Sequence, residues 1–234
     1  MGPEVRSQKQ RTQQAARLLR QGVAKYGELK GRKTRPPLDQ LVLSIMARAT
    51  SVRQATRALR ALRRRFADWN EVRVSHPVEV AAAISTARWA QEAAERLVWM
   101  LGEVFEAYNR LSLEFLAEFT HTQARSCLMR LPMVARDVAD EVLLFSLGAN
   151  VLPLSPDTAR MCFRLGLLDD DRPTLKNQRA LARLFDEDHY ACLHLLFSDC
   201  AAALCRVQDP LCQRCPVNSH CPSNIWQARR KESP

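Results

Sequence analysis

At 234 residues, with 47% apolar and 26% charged residues and a formal net charge of +10, the chain is long enough to bury one core or two small fused ones. No apolar stretch approaches the ~18–20 residues that cross a bilayer, and the N-terminal segment lacks the apolar core and cleavage pattern of a secretory signal, which predicts a cytoplasmic, bacterial protein. Only 7 Gly, set against abundant Ala, Leu and Arg, point to helices nearly throughout and away from sheet-based nucleotide folds.

The positive charge is unevenly spread. Residues 1–35 hold four Lys and six Arg against Glu4 and Glu28, so this basic N-terminal arm accounts for +8 of the total. Within it, residues 8–28 read as a basic amphipathic helix, ended by Gly27 and Gly31 and set apart by the Arg35-Pro36-Pro37 break. An apolar helix follows over 38–49, and Ser51 is a fitting N-cap for another that runs to Phe66. That second helix turns Val52, Ala55, Leu59, Leu62 and Phe66 to one side and Arg53, Arg57, Arg60 and Arg64 to the other. Residues 48–65 carry seven Arg and no acid, a patch that is either a solvated face or a phosphate-contacting one.

Shorter helices are predicted over 77–85, 88–108, 113–118 and 122–130. Leu131-Pro132 breaks the chain, and a helix from about Ala135 to Leu147 completes a helix, tight turn, helix unit. Ser155-Pro156-Asp157 is a strong helix start, and two more helices, near 176–186 and 188–203, lead into a cysteine cluster.

Cys205, Cys212, Cys215 and Cys221 form C-x6-C-x2-C-x5-C, whereas Cys127, Cys162, Cys192 and Cys200 show no grouping and read as small core residues. Without a secretory signal, such spacing points to metal rather than to disulfides. Four thiolates can hold Zn²⁺ or an iron–sulfur cluster, and the six-residue first gap favours the larger 4Fe-4S object.

This spacing resembles the C-terminus of endonuclease III and adenine DNA glycosylase, the iron–sulfur members of the helix-hairpin-helix DNA glycosylase superfamily. Three further segments resemble family motifs in order and distance. Met46-Ala47-Arg48-Ala49-Thr50-Ser51 is similar to S-A-Q-A-T-D, Leu131-Pro132-Met133-Val134-Ala135-Arg136-Asp137 to L-P-G-V-G-R-K, and Pro156-Asp157-Thr158-Ala159-Arg160 to V-D-T-H. The resemblance spans about 36–226 and implies an all-α chain. A six-helix barrel over 41–151, with its hairpin near 131–136, and a cluster domain over 152–234 joined by the N-terminal helix would flank a DNA-binding cleft.

The same resemblance implies a base excision repair function: a monomer on double-stranded DNA with damaged or abasic sites, at the bacterial nucleoid, with no membrane role. Asp157 stands at the family's catalytic carboxylate, which stabilises positive charge on the sugar and steers water. Its plain alternative is a helix-start Asp bonding free amides. Asp137 stands where bifunctional relatives carry the Lys that forms a Schiff base, and no Lys occurs from residue 34 to 175, so AP-lyase chemistry is not expected. A monofunctional N-glycosylase is the leading expectation, with a catalytically degenerate DNA- or partner-binding protein as the alternative. Expected DNA contacts are Arg48, at the position of the inserted family Gln, Arg53, Arg57, and the hairpin residues Met133, Val134, Ala135 and Arg136. Met133 and Ala135 replace family glycines, so a weaker phosphate grip is expected there.

Overall fold

The structure, a computed structural model, describes residues 7–29, 35–85 and 89–223. Among these residues there is no strand, as the composition predicts. Nor is any helix long and apolar enough to cross a membrane. Two compact units emerge: Met1–Gly31 together with Asn150–Pro234, and Arg32–Ala149 between them in sequence.

The central unit contains α2 (Pro37–Ala49), α3 (Val52–Arg65), α4 (Trp69–Val74), α5 (Pro77–Ile84), α6 (Trp89–Tyr108), α7 (His121–Leu128) and α8 (Arg136–Ser146), with a 3₁₀ turn at Glu114–Glu118. Local chemistry sets most of these starts. Pro37 occupies the first turn of α2, the Ser51 hydroxyl accepts from the Gln54 N–H at α3, and Thr120 and Gln123 form a reciprocal capping box at α7. The short helix α4, which the sequence reading passed over, starts where the Asp68 carboxylate accepts from the Glu71 N–H at 2.8 Å and Glu71 returns a bond to the Ala67 N–H at 2.6 Å. At the centre, Leu41, Val42 and Met46 of α2 are buried with Leu97, Met100 and Leu101 of α6 and Val142 and Leu143 of α8. Helix α2 packs against α3, α6 and α8, so its C-terminal end, bearing Arg48, lies on α8.

The flanking unit is built from α1 (Gln8–Tyr26), α9 (Pro156–Arg164), α10 (Leu175–Ala182) and α11 (Tyr190–Ala203), followed by the cysteine segment. Helix α1 packs along α11 and buries Ala15 and Leu18. Full burial of a Leu side chain stabilises by roughly 1.5–3 kcal/mol, enough to dock a helix whose other faces are polar. Its basic residues are partly spent internally: Arg11 pairs with Asp169, and Lys25 with Asp199 at 3.1 Å. Tyr26 also donates to Asp199. Gly27 ends the helix at φ 73°, a left-handed conformation that suits a residue without Cβ.

Candidate functional site

The hairpin between α7 and α8 keeps a left-handed residue in spite of its sequence. Met133 sits at φ 61°, so the turn that glycine would adopt freely is made with a Cβ present. Ala135, by contrast, is extended at φ −72° and is the N-cap of α8 without a side-chain cap bond. Val134 is buried and anchors the turn, leaving Ala135 exposed and Arg136 half-buried.

In the first turn of α8, Asp137 is buried and its carboxylate forms an ion pair with Arg48 of α2. The Arg48 guanidinium also lies 3.8 Å from Glu141, one helical turn further along α8. Two positions read separately in the sequence, the Arg for Gln and the Asp for Lys, are therefore partners. Behind them Asp140 is fully buried and accepts from Arg125 Nε of α7 at 2.5 Å. Burial, the largest cause, raises the Glu141 carboxyl to about 7, with Asp137 and Asp140 adding to the rise while Arg48 and a Ser44 hydrogen bond oppose it. A cavity of about 450 Å³ lies at the opposite ends of α2 and α8, lined by Arg35, Pro36, Pro37, Glu114, Ala117, Ser146 and Leu147. None of the hairpin residues or acids just named lines it.

The arginines of 48–65 divide into two sets. Arg48 is paired as above, Arg63 binds Asp39 and lies over the Trp69 ring at 4.4 Å, and Arg65 lies 5.4 Å from the Phe66 ring centre. Arg53, Arg57, Arg60 and Arg64 are exposed and form no ion pair among the described residues.

In the flanking unit, Asp157 lies in the first turn of α9. The cap there is Ser155, whose hydroxyl accepts from the Thr158 N–H at 3.1 Å, so Asp157 is not the residue that closes the helix start. Its side chain is 52% exposed and one oxygen accepts from Arg160 at 2.6 Å. Arg160 in turn donates from Nε and Nη2 to the Cys205 carbonyl, each at 3.0 Å, linking the carboxylate to the start of the cysteine segment.

Cys205 follows α11, Cys212 opens a 3₁₀ turn at 212–214, Cys215 comes directly after it, and Cys221 follows a second 3₁₀ turn at 218–220. The six-residue gap is closed by Leu211 N–H donating to Leu204 C=O at 2.8 Å. All four cysteines are half-buried thiols, and Cys221 is within electrostatic range of the other three. Among the described residues, no three His, Cys, Asp or Glu side chains are grouped closely enough to hold a metal ion. Arg164 donates to the Cys205 sulfur at 3.4 Å and to the Arg206 carbonyl at 2.7 Å. From α1, Gln14 and Gln21 donate to the carbonyls of His220 and Pro216 at 2.9 and 3.0 Å. Cys200, read as a core residue, is buried beside Cys215 and acts to lower the Cys215 thiol pKa. Nothing in its sequence spacing marked that contact.

No family model matches the chain. By sequence it is similar to the endonuclease III of Thermotoga maritima, 23% identical over 189 residues that cover 81% of this chain and 84% of that protein. Among solved structures it is similar to endonuclease III in a non-covalent DNA complex, with a TM-score of 0.66 and 18% identity over 93% of this chain and 98% of that one. A thermostable thymine-DNA glycosylase is similar with a TM-score of 0.64 and 16% identity, over 93% and 98%. The fold is thus the helical fold of the endonuclease III type, as the motifs in the sequence imply.

Proposed function

We propose that this protein is a base excision repair DNA glycosylase of the endonuclease III type, binding duplex DNA with damaged or abasic sites and removing a damaged base as a monofunctional enzyme. The observation that carries the reading is Asp157: an exposed carboxylate at a helix start where Ser155 already does the capping. Such a group is available to stabilise positive charge developing on the sugar and to orient the attacking water. Arg160 fixes one of its oxygens and leaves the carboxylate half exposed.

Lyase chemistry lacks its amine at the family position, and no Lys occurs from residue 34 to 175. Asp137 cannot form an imine, and its carboxylate is committed to Arg48. A glycosylase without lyase activity leaves an abasic site intact, so strand scission appears only after alkali. The relative and the structural neighbours named above, an endonuclease III, its DNA complex and a thymine-DNA glycosylase, support the reaction class.

By their chemistry, four thiols in one segment, Cys205, Cys212, Cys215 and Cys221 are the residues that would hold a 4Fe-4S cluster, although their side chains are not drawn together in the described structure. Arg164 donates to the Cys205 sulfur, and Cys221 lies within electrostatic range of the other three. When bound, the cluster would supply a rigid cross-link for a segment that otherwise has only short 3₁₀ turns. Met133, Val134, Ala135 and Arg136 would meet phosphates through the uncapped start of α8.

The second reading, a non-catalytic DNA-binding protein on this scaffold, draws on the Arg48–Asp137 pair, which occupies the two altered motif positions at once. A panel of duplexes bearing one lesion each, scored for strand scission before and after alkali, separates the two. Product only after alkali, lost in Asp157→Asn with duplex binding kept, supports the glycosylase. Scission without alkali, or a borohydride-trapped adduct, refutes the monofunctional assignment. Retained duplex binding without product on any substrate favours the second reading.

A further inference from the structure

Helix α3 carries six Arg and neither Lys nor acid. Its inner side buries Ala55, Ala58, Leu59 and Leu62, which fixes the opposite side outward. Arg53, Arg57, Arg60 and Arg64 follow one another there at intervals of four, three and four residues. Neighbours at such intervals on a helix repel when alike in charge, and a cation in the first turn also opposes the helix dipole. Arg53 is in that turn, and the helix has no acid there to offset it. Arg60 is further crowded by half-buried Arg35. The face is thus electrostatically unfavourable in the free protein, and an external polyanion would relieve it.

The dimensions suit a nucleic-acid backbone. From Arg53 to Arg64 the axis advances about 16 Å at 1.5 Å per residue. Over that length one strand of B-form duplex presents about five phosphates, at about 3.4 Å of rise each. Guanidinium forks bind phosphate oxygens in pairs, a geometry that an ammonium does not offer. The track also begins in the right place. Ser51, the N-cap of α3, is three residues beyond Arg48, which is bonded to Asp137 at the hairpin helix; Arg63, near the far end, is bonded to Asp39 at the start of α2.

We propose that Arg53, Arg57, Arg60 and Arg64 form a phosphate-binding track for the DNA flank that leads away from the nucleotide held near the hairpin. The assignment rests on the DNA-binding reading above and extends its footprint along α3. Because phosphate contacts carry no sequence information directly, the track adds affinity without adding lesion preference.

The test uses the full chain and a 30-base-pair duplex, with or without one central tetrahydrofuran abasic-site analogue, followed by fluorescence anisotropy from 50 to 200 mM salt. Two quadruple variants are compared with the wild type, one with Gln and one with Lys at positions 53, 57, 60 and 64, each checked for unchanged helicity and melting. If all four residues meet phosphates, the Gln variant loses about 3.6 from the slope of log K against log salt, so its affinity deficit shrinks about 150-fold across that range. The Lys variant keeps most of the slope, and the preference for the abasic analogue stays the same in all three proteins. An unchanged slope in the folded Gln variant overturns the track while leaving the glycosylase reading in place. A polyglutamate chain that displaces no DNA but binds the wild type and not the Gln variant reassigns the face to an acidic protein. Failure of the wild type to bind either duplex defeats both proposals.

Discussion

Replacing Asp137 with Lys looks, on sequence, like a restoration of the family's lyase residue. In this structure it places an ammonium against Arg48 in a site where the Asp side chain is 8% and the Arg side chain 35% exposed. Removing one partner of a fully buried pair costs about 3–5 kcal/mol, and the partial exposure of Arg48 reduces that to about 2–3 kcal/mol. A new cation at about 5 Å adds up to about 3 kcal/mol at an effective dielectric near 20, of which Glu141, itself 3.8 Å from Arg48, offsets a share. The net expectation for Asp137→Lys is a loss of about 3 kcal/mol. Arg48→Gln with Asp137→Lys, which rebuilds the family pair at both positions, recovers at least half of it. Urea unfolding followed by tryptophan fluorescence measures this, since Trp69, Trp89 and Trp99 lie in the central unit and only Trp226 lies elsewhere. A double-mutant cycle should give a coupling above ~1 kcal/mol, whereas single effects that add to within ~0.5 kcal/mol would refute the pairing as an energetic unit.

Three further outcomes follow from the geometry. Met133→Gly relieves a left-handed Cβ costing roughly 1–2 kcal/mol and loses about 0.5–1 kcal/mol to chain entropy, so unfolding should be neutral to ~1 kcal/mol stabilised, and a clear loss would mean that the Met side chain packs the turn. Glu141→Gln tests the raised carboxyl: with a folded value of about 7 against 4.5, the folded chain holds the proton more tightly, so wild-type stability falls as pH rises from 4.5 to 7, by up to about 3 kcal/mol, and the Gln variant flattens that slope. Purified protein should contain iron and sulfide, and Cys212→Ala or Cys221→Ala should lose both and expose the 205–223 segment to proteolysis; one zinc and no iron on elemental analysis would reject the cluster.

Helix positions were legible because apolar spacing and caps are local signals. Ser51, Thr120 and Ser155 each accept the amide bond that their residue type suggests. Arg48, an expected DNA contact, and Asp137, at the family Lys position, carry no sign of each other in the sequence, because an ion pair between residues 89 apart leaves no local trace. Helix α1 reads in the sequence as basic, but nothing local shows that Arg11 and Lys25 answer acids of the flanking unit or that Gln14 and Gln21 hold the cysteine segment by its carbonyls. Deleting residues 1–35 would therefore remove a wall of the cysteine site along with the charge, and the α3 substitutions are the cleaner probe of electrostatic binding. Residues 1–6 and 30–34, which carry part of the arm's charge, lie outside the described structure.

The departures from the family motifs divide by the kind of physics they touch. Shape is retained at a cost: Met133 accepts a left-handed conformation, and the turn that leads into α8 is still made. Charge is not retained, since the Lys position is negative and is neutralised from within by Arg48. Chemistry that needs an amine nucleophile at the family position is not expected on the second count whatever the quality of the turn, because a carboxylate cannot form an imine. On the proposed function, chemistry that needs only a carboxylate beside a developing cation would depend instead on Asp157, which lies in the other unit, on a helix capped by a different residue. The two activities are therefore separable in this chain: substitutions at 48 and 137 should alter stability and phosphate grip while leaving the Asp157–Arg160 pair untouched, so base removal in the Arg48→Gln, Asp137→Lys double variant should still be abolished by Asp157→Asn. If that triple variant kept its base-removal activity, the carboxylate at 157 would not be the group on which the reaction depends.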